Sequence, residues 1–369
     1  MQITSHTNNE VNTRKKKGEQ VFVTSNLNYM SNYESLHNDI LAKVDFGPLK
    51  DLVEDINVTD INWNGRQLWI DDIVNGRYLS DFIFSPDFIV IFSQQIANFA
   101  NKSLTPYEQS LETEVGDIRV SIIHESAAIS GRSISIRKSP AIKRLSREGM
   151  IKEGYATPEM LDFLQKCVEK HRNIIICGLP GVGKTELVKW LTTFIPPHER
   201  VVTIEDNLEL HYPQINPDKD CVELRVSLNK EDGMTYADAI RVSLRQLAKW
   251  IILSEVRGKE SYNLLEAFST GCHGITTVHT DSVYKIVDRF KSMIGEDNDY
   301  YENEIYKLID VAVLVEQKIE NNQIKRYISQ IALFERTPEY ENRIVPIVDN
   351  KNNKQDYRNN NTEGEHMYE

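Results

Sequence analysis

The stretch "RNIIICGLPGVGKTELVKWL", residues 172–191, decides how this chain folds. Ile174, Ile175, Ile176 and Cys177 form a short apolar, β-branched run of the kind that makes a buried strand. The segment from Lys184 keeps helical spacing until Pro196 and Pro197 stop it. Between the two, Gly178-Leu-Pro-Gly181-Val182-Gly183-Lys184-Thr185 fits G-x-x-x-x-G-K-[ST]. Glycines let the backbone curl around a phosphate with its N–H groups turned inward. A helix starting at that loop aims its positive end at the same anion. In such a loop Lys184 reaches the β- and γ-phosphates, and the Thr185 hydroxyl is a magnesium ligand. Strand, loop and helix occur in the order that the pattern demands, which predicts a nucleoside triphosphate site.

Working outward, the chain from about 151 alternates strand and helix. "RVVTIED", "WIILSE" and "GITTVHT" are further apolar strand candidates, with helical segments between them. Alternation of this kind predicts a parallel sheet with helices on its faces. Three of its strands end in polar residues, where ligands sit in open α/β sheets: Glu205, Asp206 and Glu209 after the first, Glu255 in the second, and His279 after the third. A phosphate loop needs such company, because phosphoryl transfer requires an acid for the metal, a group that orients water and a positive charge for the transition state.

The region before 138 has a different texture. "INWNGRQLWIDD" and "DIRVSIIHE" alternate as strands do, and "FIVIFSQQIANFANK" is apolar-periodic as a helix is. The expected organisation is a disordered leader (1–28, with "RKKK" at 14–17), an α+β domain (29–137), a basic linker "KSPAIKRLSREGM" (138–150), an α/β domain (151–345) and a flexible tail (346–369) that is Asn-rich from 350. No internal repeat is visible.

Composition narrows the function classes. At 369 residues the chain has room for two domains. Acidic residues outnumber basic ones by 55 to 43, for a formal charge of −12. That balance argues against coating nucleic acid, which needs clustered Lys and Arg to displace counterions, and no nucleic-acid partner is expected. Cys167, Cys177, Cys221 and Cys272 contain no C-x-x-C pair, so neither a disulfide framework nor a zinc ribbon is predicted. No apolar run reaches the about 18 residues of a membrane span, and no signal-peptide core is seen at the N-terminus. A cytoplasmic protein, peripheral at the inner face of the plasma membrane at most, is the expectation.

"GLPGVGKT", "TIEDNLEL", "LRQLAKWIILSEVRG" and "STGCHGITTVHTDS" occur in an order and spacing that resembles the Walker A, Asp box, Walker B and His box of the type II/type IV secretion and pilus-assembly ATPases. "DINVTDINWNGRQLWID" and "GRSISIRKSP" resemble strands of that family's N-terminal domain, so the likeness runs from about 50 to 340. It implies a RecA-like P-loop ATPase domain preceded by a smaller α+β domain, six subunits in a ring, and ATP with Mg²⁺ held between the domains. Carried onto this chain, Gly178, Gly181, Val182, Gly183, Lys184 and Thr185 bind phosphate. Thr185 and Glu255 serve the metal. Glu205 and Glu209 are both candidates for polarising water, and His279 senses the γ-phosphate. Arg257 and Gly258 continue the Walker B signature.

Arg119, Arg132 and Arg137 fall where the family presents guanidinium groups from its N-terminal domain, and a planar fork suits phosphate. Arg241 and Arg245 share a helix face before the Walker B strand. Three departures stand out: Gly271-Cys272-His273 where the family writes Gly-His, "QLAKW" without the usual Pro-Asp, and Ser254 for the common Gly. No tetracysteine insertion is present, which suits the Tad-pilus or conjugative type IV branches. The implied function is ATP hydrolysis that powers a secretion, conjugation or pilus-assembly machine, with partners among inner-membrane platform or secretion-complex proteins. The competing classes are a nucleic-acid motor and a nucleotide-gated scaffold that does not cycle.

Overall fold

The computed structural model describes residues 43–350, except 228–230, 232, 296–298, 321–322, 338 and 340. The leader expected at 1–28 lies outside these residues. Two sheets organise the rest. The first has six strands, β1 (Val58–Trp63), β2 (Leu68–Asp72), β3 (Gly76–Ser80), β4 (Ser110–Val115), β5 (Ile118–Ile123) and β6 (Ser133–Lys138), in the order β3-β2-β1-β6-β5-β4. All neighbours are antiparallel. Alternation sets its faces: Ile118, Val120, Ile122, Ile134 and Ile136 point into the core, and Arg119 and Arg137, directly opposite each other in the ladder, point away from it. The helix Pro86–Phe99 covers the apolar face with Ile89, Phe92 and Ile96. It starts there because Ser85 accepts a hydrogen bond from the Phe88 N–H and a proline occupies the first turn.

The second sheet comprises β7 (Ile174–Cys177), β8 (Val201–Glu205), β9 (Cys221–Arg225), β10 (Trp250–Val256), β11 (His273–Val278), β12 (Val311–Glu320), β13 (Gln323–Arg336) and β14 (Asn342–Asp349). Its order is β14-β13-β12-β7-β11-β10-β8-β9, parallel from β12 to β9 and closed by the antiparallel β12-β13-β14 meander. Strand β7 sits centrally with every residue buried, and each buried isoleucine contributes roughly 1.5–3 kcal/mol. The two apolar clusters lie on opposite faces of this sheet, alternating along β7 between Ile175 and Cys177 on one side and Ile174 and Ile176 on the other. The architecture is therefore a RecA-like α/β domain preceded by a smaller α+β domain.

Two details differ from the sequence reading. Residues 346–349, expected to open the tail, complete β14, where Pro346 and Val348 pair with Ala332 and Ile331. Polar composition around them concealed a strand that only its partner β13 makes favourable; residues 351–369 lie outside the described part. The linker is also less independent than its basic composition suggests. The Ser139 carbonyl lies 2.5 Å from His211 Nε2, Arg144 donates to the Ile56 carbonyl, and the Arg144 N–H donates to Glu186 on the helix that follows the glycine loop. An Arg225–Glu114 ion pair (2.9 Å) adds a direct bridge between the domains.

Candidate functional site

Glycine is required where β7 leaves the sheet. Gly178 has φ +150°, and a Cβ there would sit 2.4 Å from the Val315 carbonyl oxygen on β12. Gly181 and Gly183 have φ of +78° and +89°, a left-handed region that side chains disfavour. Gly183 then caps the helix Lys184–Thr192. This curl places a loop of backbone above the C-terminal edge of the sheet, with Val182 buried beneath it.

Lys184 is nearly buried, and its ammonium donates to the carbonyls of Gly178 (2.9 Å) and Leu179 (3.1 Å). Its third contact is His279 Nδ1, at 3.1 Å. With the ammonium as donor, that nitrogen accepts, and the Nε2–H on the other side of the ring faces Glu255 Oε1 at 2.8 Å. The His279 imidazole thus joins the loop lysine to the acid of β10. Glu255 continues the chain through Arg257 (2.8 Å), which also holds Asp206 (2.8 Å), whose other oxygen accepts from the Tyr236 hydroxyl. Burial brings the Lys184 pKa down to about 8, against the pull of Glu255.

The Asp-box acids, left as alternatives by the sequence, occupy different environments. Glu209 reaches the loop: its Oε2 accepts from the Thr185 hydroxyl at 3.2 Å. Glu205 is fully buried, and its carboxyl accepts from the N–H groups of Glu209 and Leu210, both at 3.1 Å. It shapes the turn that presents Glu209. Burial pushes its pKa up to about 8. The folded state therefore holds a proton that the unfolded chain releases above about 4.3, so this group costs stability progressively from there to pH 8. Glu205→Gln keeps an acceptor for both amides and removes the cost. The variant should melt above wild type at pH 8 and approach it near pH 4, which thermal melts across pH would check.

Elsewhere the structure disperses the predicted residues. Arg137 is exposed and pairs with Asp60 at 2.7 Å, close enough to Glu209 to feel its charge. Arg119 lies beside it in the ladder, half-buried. Arg132 grips Glu125 with two hydrogen bonds of 2.6 and 2.9 Å, roughly 20 Å along β6 from the linker end. Arg241 pairs with Asp238 on its own helix, and Arg245 is exposed on the last turn. His273 packs at a tilt against the rings of His171 and Trp250 at the N-terminal end of β11, one strand length from His279. The displaced Gly-Cys-His thus belongs to the opposite edge of the sheet. One residue had no sequence signal. Arg326 on β13, 145 positions from the loop, lies 3.4 Å from the Gly181 carbonyl.

These features define a class, the RecA-like α/β domain with a phosphate-type glycine loop at its strand tips. The chain belongs to the family described as Type II/IV secretion system protein, whose match covers residues 97–359. Among relatives, an uncharacterized protein of Bacillus anthracis is 29% identical over 237 residues, 63% of this chain and 52% of that protein, so the chain spans about half of that relative's length. The type IV secretion system protein PtlH homolog of Bordetella bronchiseptica is 28% identical over 309 residues, 74% of this chain and 89% of its own. VirB11 of Brucella suis, a type IV secretion system protein, is 27% identical over 246 residues, covering 58% and 67%. Among solved structures, the pilus retraction motor PilT with bound ADP shares the fold at a TM-score of 0.57 and 17% identity, over 79% of this chain and 83% of that one. The Legionella pneumophila ATPase DotB does so at 0.53 and 16%, over 85% and 81%. Among the described residues no helix is long and apolar enough to cross a membrane.

Proposed function

We propose that the protein is an ATP hydrolase of a secretion, conjugation or pilus-assembly machine, working as a hexameric ring whose two domains close on ATP and open after hydrolysis. The observation that carries this reading is the Lys184–His279–Glu255 chain, with Thr185 and Glu209 beside it. Strand-tip residues 71 and 95 positions from Lys184 converge on a loop shaped for phosphate, which a structural glycine turn does not require.

Each residue then has work to do. The loop N–H groups and the Lys184 ammonium hold the phosphate tail, and the three contacts that Lys184 now makes are exchanged for phosphate oxygens. The Thr185 hydroxyl and the Glu255 and Glu209 carboxylates are hard oxygen donors, as Mg²⁺ prefers. No cluster of three or more His, Cys, Asp or Glu fit to hold a metal occurs among the described residues. That suits an ion which usually takes one or two carboxylates and completes its shell with substrate phosphates and water. Magnesium would neutralise charge on the β- and γ-phosphates. Glu209 orients the attacking water, and His279 relays the presence of the γ-phosphate to Glu255. Arg137, held by a single exposed ion pair, is free to exchange Asp60 for phosphate as the domains close. The docking partners of such a ring are inner-membrane platform or secretion-complex proteins, and the chain acts in the cytoplasm against that membrane.

Phosphate release from ATP, measured with and without EDTA alongside native mass spectrometry, tests the reading. Magnesium-dependent turnover and assemblies of six copies are expected. Tight ATP binding with no turnover, even with the neighbouring machine components added, would instead make the protein a nucleotide-gated scaffold.

A further inference from the structure

Arg257 lies between two carboxylates. One of its terminal nitrogens bonds Asp206 Oδ2 and the other Glu255 Oε2, both at 2.8 Å. Asp206 follows β8 and Glu255 lies in β10, which are neighbours in the sheet, so the guanidinium bridges two adjacent strand tips. Both acids are largely buried, while the Arg257 side chain is 47% exposed. A long, exposed arginine paired with one acid fixes little, because solvent competes and the stem is free to turn. Holding both ends of the planar fork removes that freedom. The position of Glu255 Oε2 therefore depends on how firmly Asp206 is held.

The group that holds Asp206 is Tyr236. It opens the helix Tyr236–Arg245, which starts there because the Thr235 side chain accepts from the Asp238 N–H. The ring is buried in the same apolar cluster as Ile204 of β8 and Leu253 of β10. Its hydroxyl donates to Asp206 Oδ1 at 3.1 Å and accepts from the Asp206 N–H at 3.2 Å. One oxygen thus fixes both the side chain and the main chain of Asp206. A tyrosine hydroxyl is placed by only two torsions, and packing of the ring restricts both. From Tyr236 the bonds run through Asp206 and Arg257 to Glu255, whose other oxygen meets His279. A buried carboxylate needs partners whatever its function. Here, though, the partners lead from an apolar anchor to the acid of the nucleotide site.

We propose that Tyr236 is a positioning residue for Glu255, acting through Asp206 and Arg257. The inference rests on the hydrolase reading above and gives a role to a residue that none of the four sequence motifs contains. Tyr236 touches no reacting atom. Without its hydroxyl, Asp206 is free to turn, the Arg257 fork turns with it, and Glu255 loses the partner that sets its second oxygen. The phosphate tail is held by the glycine loop and Lys184, which this change leaves alone. Hydrolysis should therefore suffer and ATP binding should not.

The test compares wild type, Tyr236→Phe, Asp206→Asn, Tyr212→Phe, Glu255→Gln and the double variant Tyr236→Phe/Glu255→Gln. Single-turnover hydrolysis, ATP binding by titration calorimetry and melting temperature are measured for each. Tyr236→Phe should slow hydrolysis by about tenfold while leaving ATP affinity within about twofold. Asp206→Asn reaches the same link from its other end, so it should show the same split and keeps the test decisive if the phenylalanine variant fails to fold. Tyr212 is equally buried but its hydroxyl has no hydrogen-bond partner, so Tyr212→Phe should change neither quantity by more than about twofold. In the Glu255→Gln background, removing the Tyr236 hydroxyl should cost less than about a further twofold, because it acts only through Glu255. A lowered melting temperature with hydrolysis unchanged in both single variants makes the bond structural and overturns the proposal. Losses that multiply with Glu255→Gln, or that fall equally on ATP affinity, overturn it as well. Wild type that turns over no ATP overturns the hydrolase reading, and this proposal with it.

Discussion

Lys184→Ala should abolish ATP turnover, lowering kcat/KM by about 10³-fold or more and weakening nucleotide binding as well. The size follows from where the ammonium sits. It is 7% exposed and spends its donors on Gly178, Leu179 and His279. A charge-assisted bond to phosphate in that drier surrounding is worth more than one in water. The same burial brings its pKa down to about 8, so ATP affinity should decline as pH rises through that value, by up to about tenfold per unit. Titration calorimetry from pH 7 to 9.5 would show the decline in wild type and none in the alanine variant. Turnover of the alanine variant at the wild-type rate would remove the loop from the chemistry.

Glu255→Gln separates binding from hydrolysis. The amide matches the carboxylate in shape but carries no charge for a metal, and it can present only one acceptor oxygen to the groups that now face two, His279 and Arg257. A fall in kcat of about 10²–10³-fold is expected, with ATP affinity within a fewfold of wild type. Arg257 keeps its bond to Asp206, so the melting temperature should shift little. Single-turnover kinetics beside equilibrium binding would check the split. A matching loss of affinity would mean that Glu255 holds the ground state and has no special part in the transition state.

The central strand and its loop were legible because local physics dictates them. A buried apolar run, a proline-stopped helix and glycines at left-handed angles leave little else for residues 172–191 to form. The strand-terminal acids were legible for a related reason, since a parallel sheet collects its ligands at one edge. Motif spacing stopped short at Glu205 and Glu209. They are four residues apart with the same chemistry, and only the turn between them, held by Glu205's own buried carboxyl, determines which one faces Thr185. The arginines were less legible still. A guanidinium is long and exposed enough to serve many partners, and Arg132 found Glu125 at the far end of its strand.

What this sequence settles by itself is the arrangement that short-range forces control: an α/β domain of alternating strands and helices, the strand–glycine loop–helix unit, and the order of the polar residues along the strand tips. What only the tertiary structure decides is which distant groups meet. His279 comes between Lys184 and Glu255, and Arg326 comes to the loop from 145 residues away, because sheet order and the long β12–β13 hairpin bring them there. Sheet order depends on how the whole apolar surface is buried. No window of neighbouring residues encodes that.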